Sequence, residues 1–134
     1  MIRFFNPAGV VEPASLYSHA AATDQPVRWL HVSGQVGLAP NGLLREGFEA
    51  QLEQCFENLI TTVRSDGMDV SNIVKLVIYV TPPPHEVVGA YREIRDRMMQ
   101  GHPAAATYVG VTGLASPDLL VEVEAVAAAS IAAE

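Results

Sequence analysis

Residues 120–127 alternate between two faces: Val121, Val123, Ala125 and Ala127 point one way, and Leu120, Glu122, Glu124 and Val126 the other. A period of two is that of a half-buried β-strand. Residues 105–111 are β-branched and aromatic enough to predict another strand, and residues 113–118 supply turn residues between the two. Residues 47–67 follow a different period. Phe48, Leu52, Cys55, Phe56, Leu59, Ile60 and Val63 recur at helical spacing, and Gly67 is a good C-terminal stop. Residues 72–80 are apolar on both faces and rich in Ile, Val and Tyr, which predicts a central strand. The prolines at 82–84 end it. A second helix follows over residues 84–100, with Val87, Val88, Tyr91, Ile94 and Met98 as its inner stripe. Arg92, Glu93, Arg95, Asp96 and Arg97 are assigned to its solvated face.

The N-terminal part carries weaker signals. Residues 1–5 predict a short edge strand. Residues 17–23 and 28–33, joined at Asp24-Gln25-Pro26, predict an antiparallel hairpin, with Trp29 and His31 opposite in facing to Leu30 and Val32. Ser33-Gly34-Gln35 directly after a strand predicts a bulge, or a close approach of backbone to something else. The order is therefore β-β-α-β-α-β-β, a two-layer α+β domain occupying residues 1–134, with two helices on one face of one sheet. The chain offers nothing to cover the other face, so other copies of the chain are expected to cover it.

Composition narrows the function. A 134-residue chain is long enough for a real core, and 49% hydrophobic with 17% charged residues leaves surplus apolar surface for an oligomer. The net charge of -7 argues against a nucleic-acid partner, because there is no basic stripe to neutralise phosphates. One cysteine, Cys55, excludes an internal disulfide, fits a reducing compartment and lies on the helical stripe as a small core residue. Residues 1–8 do not read as a secretory leader, and no stretch approaches the ~20 apolar residues of a membrane span, so a cytoplasmic location is expected.

No phosphate loop, nucleophile elbow or dinucleotide fingerprint is present, and no cofactor is expected. His19, His31, His85 and His102 are scattered without ligand spacing, so no metal site is expected either. The candidate chemistry that remains is the pair Glu122 and Glu124, on a face that also carries Leu120 and Val126, with Tyr17, His31, Gly34, Tyr91 and Tyr108. A carboxylate on a partly apolar face needs a partner, a site or a neighbouring subunit. Glu124 could accept a proton or orient water. Alternatively, both glutamates are paired across strands or at a subunit contact.

The chain resembles the RidA (YjgF) family of enamine/imine deaminases. The residues that carry the resemblance are Ser33-Gly34-Gln35, the helix over residues 51–66, Ile73-Val74-Lys75 and Val77 with Tyr79-Val80. Tyr91 and the closing Val121-Glu122-Val123-Glu124-Ala125-Val126-Ala127 complete it. It covers about residues 17–128. It implies a chorismate-mutase-like fold and a homotrimer whose sheets form a barrel, with a small-molecule pocket at each subunit junction. It also implies that Glu124 is the pocket glutamate, that the Gly34 backbone lines the pocket, and that Tyr17, Gly89, Tyr91, Ala106 and Tyr108 stand at ligand-binding positions. The family's carboxylate-gripping arginine falls on Ala106 in one alignment and on Ala105 in the other, and no arginine follows Arg97. A planar guanidinium clamp cannot be replaced by a methyl group. The resemblance therefore implies an arginine-less branch with two readings. One is a hydrolase of a reactive enamine, imine or related metabolite with an altered substrate. The other is a non-catalytic trimer that binds a small metabolite or a partner. His31 or His102 could supply a replacement cation, though neither has the guanidinium's geometry.

Overall fold

The computed structural model describes residues 2–131. Its elements are β1 (Ile2–Phe5), β2 (Ala20–Thr23), β3 (Val27–Val36), α1 (Phe48–Ser65), β4 (Ile73–Val80), α2 (Pro84–Met98), β5 (Ala105–Gly110) and β6 (Val121–Ser130). A 3-10 turn, Val70–Asn72, leads into β4. Four strands form one sheet in the order β3-β6-β4-β5, with β4 parallel to β5 and antiparallel to β6. The architecture is the expected α+β arrangement of two helices on one sheet. Residues 132–134, where the alanine-rich tail was expected to fray, lie outside the described residues.

The alternation along β6 decides the two faces. Val121, Val123, Ala125 and Ala127 are buried, while Glu122, Glu124 and Val126 are half-buried. Through the antiparallel register Leu76 faces Ala125, Ile78 faces Val123 and Val80 faces Val121, so β4 adds its buried set to the same side. Leu52, Cys55, Phe56, Leu59 and Val63 of α1, with Tyr91 and Ile94 of α2, close over that side as one core. Each fully buried Leu, Ile or Phe there contributes about 1.5–3 kcal/mol relative to exposure. Cys55 is fully buried within this core, as the helical stripe predicts.

Three expectations change. The hairpin between residues 17–23 and 28–33 does not form as a ladder: β2 pairs with β1, Ile2 opposite Thr23 and Phe5 opposite Ala20. Tyr17 lies in the loop before β2, and Ser18 makes only an isolated bridge to Ala105. The turn residues between the last two strands do not make a hairpin, because β4 lies between β5 and β6. The chain instead crosses the end of β4, where Thr81 N–H donates to the Leu120 carbonyl at 3.0 Å. Finally, Arg95 is not on the solvated face of α2. It is 3% exposed.

The Ser-Gly-Gln expectation holds in both its forms. The β3–β6 register shifts between Val32 and Gln35, a bulge. A methyl group on Gly34 would come within 1.8 Å of Glu122 Oε2, so the glutamate lies directly over the backbone there.

Candidate functional site

The sheet divides the sequence-predicted site residues into two groups. Ala106 and Tyr108 stand beside Leu76 and Ile78 in the β4–β5 register, so they are on the helix side. There they line a cleft of about 230 Å³ with Ser15 and Tyr17 from the loop before β2 and Val88, Tyr91, Arg92 and Arg95 from α2. Helical spacing puts the four α2 residues on one stripe, at i, i+3, i+4 and i+7. Tyr91 and Tyr108 stack with ring centroids 4.7 Å apart and planes within 19°. The Tyr108 hydroxyl donates to the Pro84 carbonyl at 2.7 Å, which fixes the end of β5 against the start of α2. Burial raises the pKa of both phenols above the ordinary 10.0, so both remain protonated near neutrality.

Of the two arginines that line this cleft, Arg92 is exposed and Arg95 is buried. The Arg95 guanidinium sits over the Tyr91 ring, 5.1 Å from the centroid, and Nη1 donates to the Tyr91 hydroxyl at 3.4 Å. Nε donates to Asp96 Oδ1 at 3.0 Å. Nη2 is also 2.9 Å from that oxygen, an ion contact, but meets no acceptor in hydrogen-bonding geometry and is buried. Sequence reasoning assigned Arg95 to solvent from its charged neighbours, yet it follows Tyr91 by four residues, and that spacing was the available signal. Val88 lines the cleft where Gly89 was expected. A methyl group on Gly89 would meet nothing within 4 Å.

Glu124 belongs to the opposite, open face of the sheet. It stands beside Val77 in the β4–β6 register, and its Oε1 accepts from the Tyr79 hydroxyl at 2.5 Å. That bond is the first cause of a raised Tyr79 pKa, which keeps the hydroxyl in place as a donor. Tyr79 enters the sequence reading only as part of the resemblance and not as a site residue, although its place two positions from Val77 gives it the same facing as Glu124. Gly34 is near the same region through Glu122. The open face also carries Trp29 and His31, beside Ala128 and Val126, and Lys75, whose Nζ donates to Thr107 Oγ1 at 3.0 Å. His102 is elsewhere and engaged: its Nε2 donates to the Ile73 carbonyl at 2.7 Å and its ring meets Phe4 edge-on. Within one chain, then, Tyr17, Tyr91, Ala106 and Tyr108 are brought together, and Glu124, Gly34 and Gly89 are not brought to them. Among the described residues, no group of three or more His, Cys, Asp or Glu is placed to hold a metal ion.

A two-layer α+β protein with a tyrosine-lined cleft at its sheet edge and a hydroxyl-held glutamate on its open face defines the class. The chain belongs to the RidA (YjgF) family: residues 9–129 match the family described as endoribonuclease L-PSP. It is 33% identical over 101 residues to the mouse 2-iminobutanoate/2-iminopropanoate deaminase, covering 72% of this chain and 71% of that protein. It is 39% identical over 70 residues to a RutC family protein of Aquifex aeolicus, a match that spans about half of each chain, 52% of this one and 54% of that one. Among solved structures it is similar to YyfB of Yersinia pestis, described as a Rid-family protein of unknown function. The TM-score is 0.85 at 33% identity, over 94% of this chain and 97% of that one. No helix among the described residues is long and apolar enough to cross a membrane.

Proposed function

We propose that this chain assembles as a homotrimer and hydrolyses a small reactive imine or enamine in pockets between its subunits. The observation that carries this reading is the Glu124 carboxylate, half-buried on the open face and held there by the Tyr79 hydroxyl. The phenol bond fixes one oxygen of the carboxylate, and the other is left to accept a proton from water. Water adds to the C=N carbon as Glu124 takes its proton. Glu124 returns that proton to nitrogen, giving the carbinolamine; as this collapses, its hydroxyl proton passes by the same carboxylate to the amine, and an oxo product and ammonia leave. The likeness to the mouse deaminase supports the imine as substrate class. Assembly follows from the geometry of the reading: Glu124 and the tyrosine cleft lie on opposite sides of one chain's sheet, so a shared pocket takes the cleft of one copy and the glutamate of another. The open face between Trp29 and Thr107 is the surface the copies would share.

The alternative, a non-catalytic trimer that binds a small metabolite, is favoured by alanine at both 105 and 106, where the family's deaminases place arginine. Hydrolysis of 2-iminopropanoate generated in situ separates the two. Turnover that disappears in Glu124→Gln, with the oligomer unchanged, supports the enzyme. An absence of turnover at high protein concentration, or full activity in Glu124→Gln, overturns it. Ribonucleolysis, which the family's description names, is disfavoured by the net charge of -7.

A further inference from the structure

We infer that Lys75 of one copy forms an ion pair with Glu122 of the next, and that this pair joins the β5 edge of one sheet to the β3 edge of its neighbour. The inference rests on the assembly proposed above and adds which edges meet and through which side chains.

Lys75 is the only lysine of the chain. It stands half-buried on the open face of β4, and its Nζ donates to the neutral Thr107 hydroxyl at 3.0 Å. Among the described residues it forms no ion pair. His31 apart, it is the only basic side chain that the four strands place on that face, because Arg28 turns instead to Asp66 at the end of α1. Glu122 is its counterpart in sign. It is half-buried on β6 and likewise forms no ion pair among the described residues. The Tyr79 hydroxyl goes to Glu124 and not to Glu122. When the open face is covered, each of these charges loses water, and it stays uncompensated unless the covering copy supplies its partner.

Within one chain the two cannot meet. Lys75 stands opposite Val126, and Glu122 lies four residues back along β6, about 13 Å at the rise of a strand. They also lean apart. Lys75 reaches across to β5, and Glu122 Oε2 lies over Gly34 of β3. β5 and β3 are the two edges of the sheet. The open face is therefore cationic toward one edge and anionic toward the other. Such a face is complementary to itself head to tail. Where the β5 edge of one copy meets the β3 edge of the next, ammonium meets carboxylate, and every junction of a closed ring is the same. A twofold dimer joined at its edges would set one edge against itself, cation to cation or anion to anion. The offset along the strands agrees with a ring, because a sheet closed into a barrel is staggered from strand to strand.

The test treats the unmodified full-length protein with a water-soluble carbodiimide, which activates a carboxylate for attack by an amine in contact with it and leaves as the urea. Covalent dimers and trimers are expected on a denaturing gel, and their digest should contain a branched peptide joining Lys75 to Glu122. Lys75→Glu and Glu122→Lys should each raise the concentration needed for half-assembly by about a hundredfold or more, since each leaves like charges facing in a covered surface. The double variant Lys75→Glu with Glu122→Lys restores opposite charges at every junction and should recover assembly to within about tenfold. The cross-link is read on the native chain and stands if a variant fails to fold. A trimer in which Lys75 couples to another carboxylate or to none, single reversals that leave assembly unchanged, or a double variant no better than the singles would each overturn the pair and leave the shared pocket standing. A monomeric unmodified protein would remove the shared pocket and the pair together.

Discussion

Gly37 leaves no room for a methyl group: a Cβ there would come within 2.6 Å of Gln51 Cβ and 2.8 Å of its Cα. Gln51 cannot give way, because its amide donates to the Arg45 and Asp118 carbonyls and its Oε1 accepts from Leu120 N–H. Gly34→Ala meets only the Glu122 side chain, which can rotate. Gly37→Ala should therefore cost about 2–3 kcal/mol and Gly34→Ala about 1 or less, read from urea midpoints. Equal costs would show that Gln51 is not a fixed strut. Cys55 gives a pH prediction. Burial, reinforced by the Glu122 charge, pushes its thiol from an ordinary 9.0 up to about 12. The folded protein keeps the proton after the unfolded chain has lost it. Stability from this group is thus full below pH 9 and is lost as pH rises toward 12, at up to about 1.4 kcal/mol per unit. Cys55→Val should flatten the fall in stability between pH 9 and 10, before the tyrosines contribute, and native Cys55 should resist thiol reagents at pH 8. Rapid labelling of the folded protein would contradict this.

At the scale of elements, the 3-10 turn joins α1 to the central strand and is closed by a reciprocal capping box at its N-terminal end. The Asp69 carboxylate accepts from Val70 N–H at 2.8 Å, Asn72 Oδ1 accepts from Asp69 N–H at 2.9 Å, and Asn72 Nδ2 donates to the Ala128 carbonyl at 3.0 Å. Asn72→Ala loses both side-chain bonds and should cost about 1–2 kcal/mol in denaturant unfolding; an unchanged midpoint would show the turn to be held by β4 alone. The Val70 N–H, and after it Arg64, lowers the Asp69 pKa, so its contribution is present above 3.8 and is lost as pH falls below that value. Strongly periodic elements were legible in the sequence. α1 and β6 bury one set of residues at one period, and their facing and extents follow the pattern. Pairing was less legible: the β1–β2 ladder involves Ala20 to Ala22, residues with little strand preference, and what fixes them is contact, not propensity. The cleft was half legible. Tyr17, Tyr91, Ala106 and Tyr108 were found, while Arg95 was hidden by its charged neighbours, because charge predicts exposure unless a stripe is followed through it.

For the whole molecule, the unequal faces of the sheet set the expectation. One side is sealed by two helices, and the other leaves Trp29, 52% exposed, beside half-buried Val77, Val126 and Glu124. Valines beside a glutamate and a tyrosine make a face neither polar enough for a solvated surface nor closed enough for a core. In the trimer proposed above, copies of the same chain would bury the valines and leave the carboxylates at the seams, where a pocket between subunits would need them. Trp29 is the chain's single tryptophan, so its fluorescence reports on this face directly. At micromolar concentration, light scattering should give three times the 14.4 kDa chain mass, with blue-shifted emission. Val126→Asp places a charge in the middle of the face, away from the α1 and α2 core. It should yield a folded monomer with red-shifted emission and, since the glutamate and the cleft then sit on separate molecules, no turnover of any imine the trimer hydrolyses. A monomeric unmodified protein would remove the shared pocket and with it the role proposed for Glu124. A Val126→Asp trimer would move the interface elsewhere on the chain.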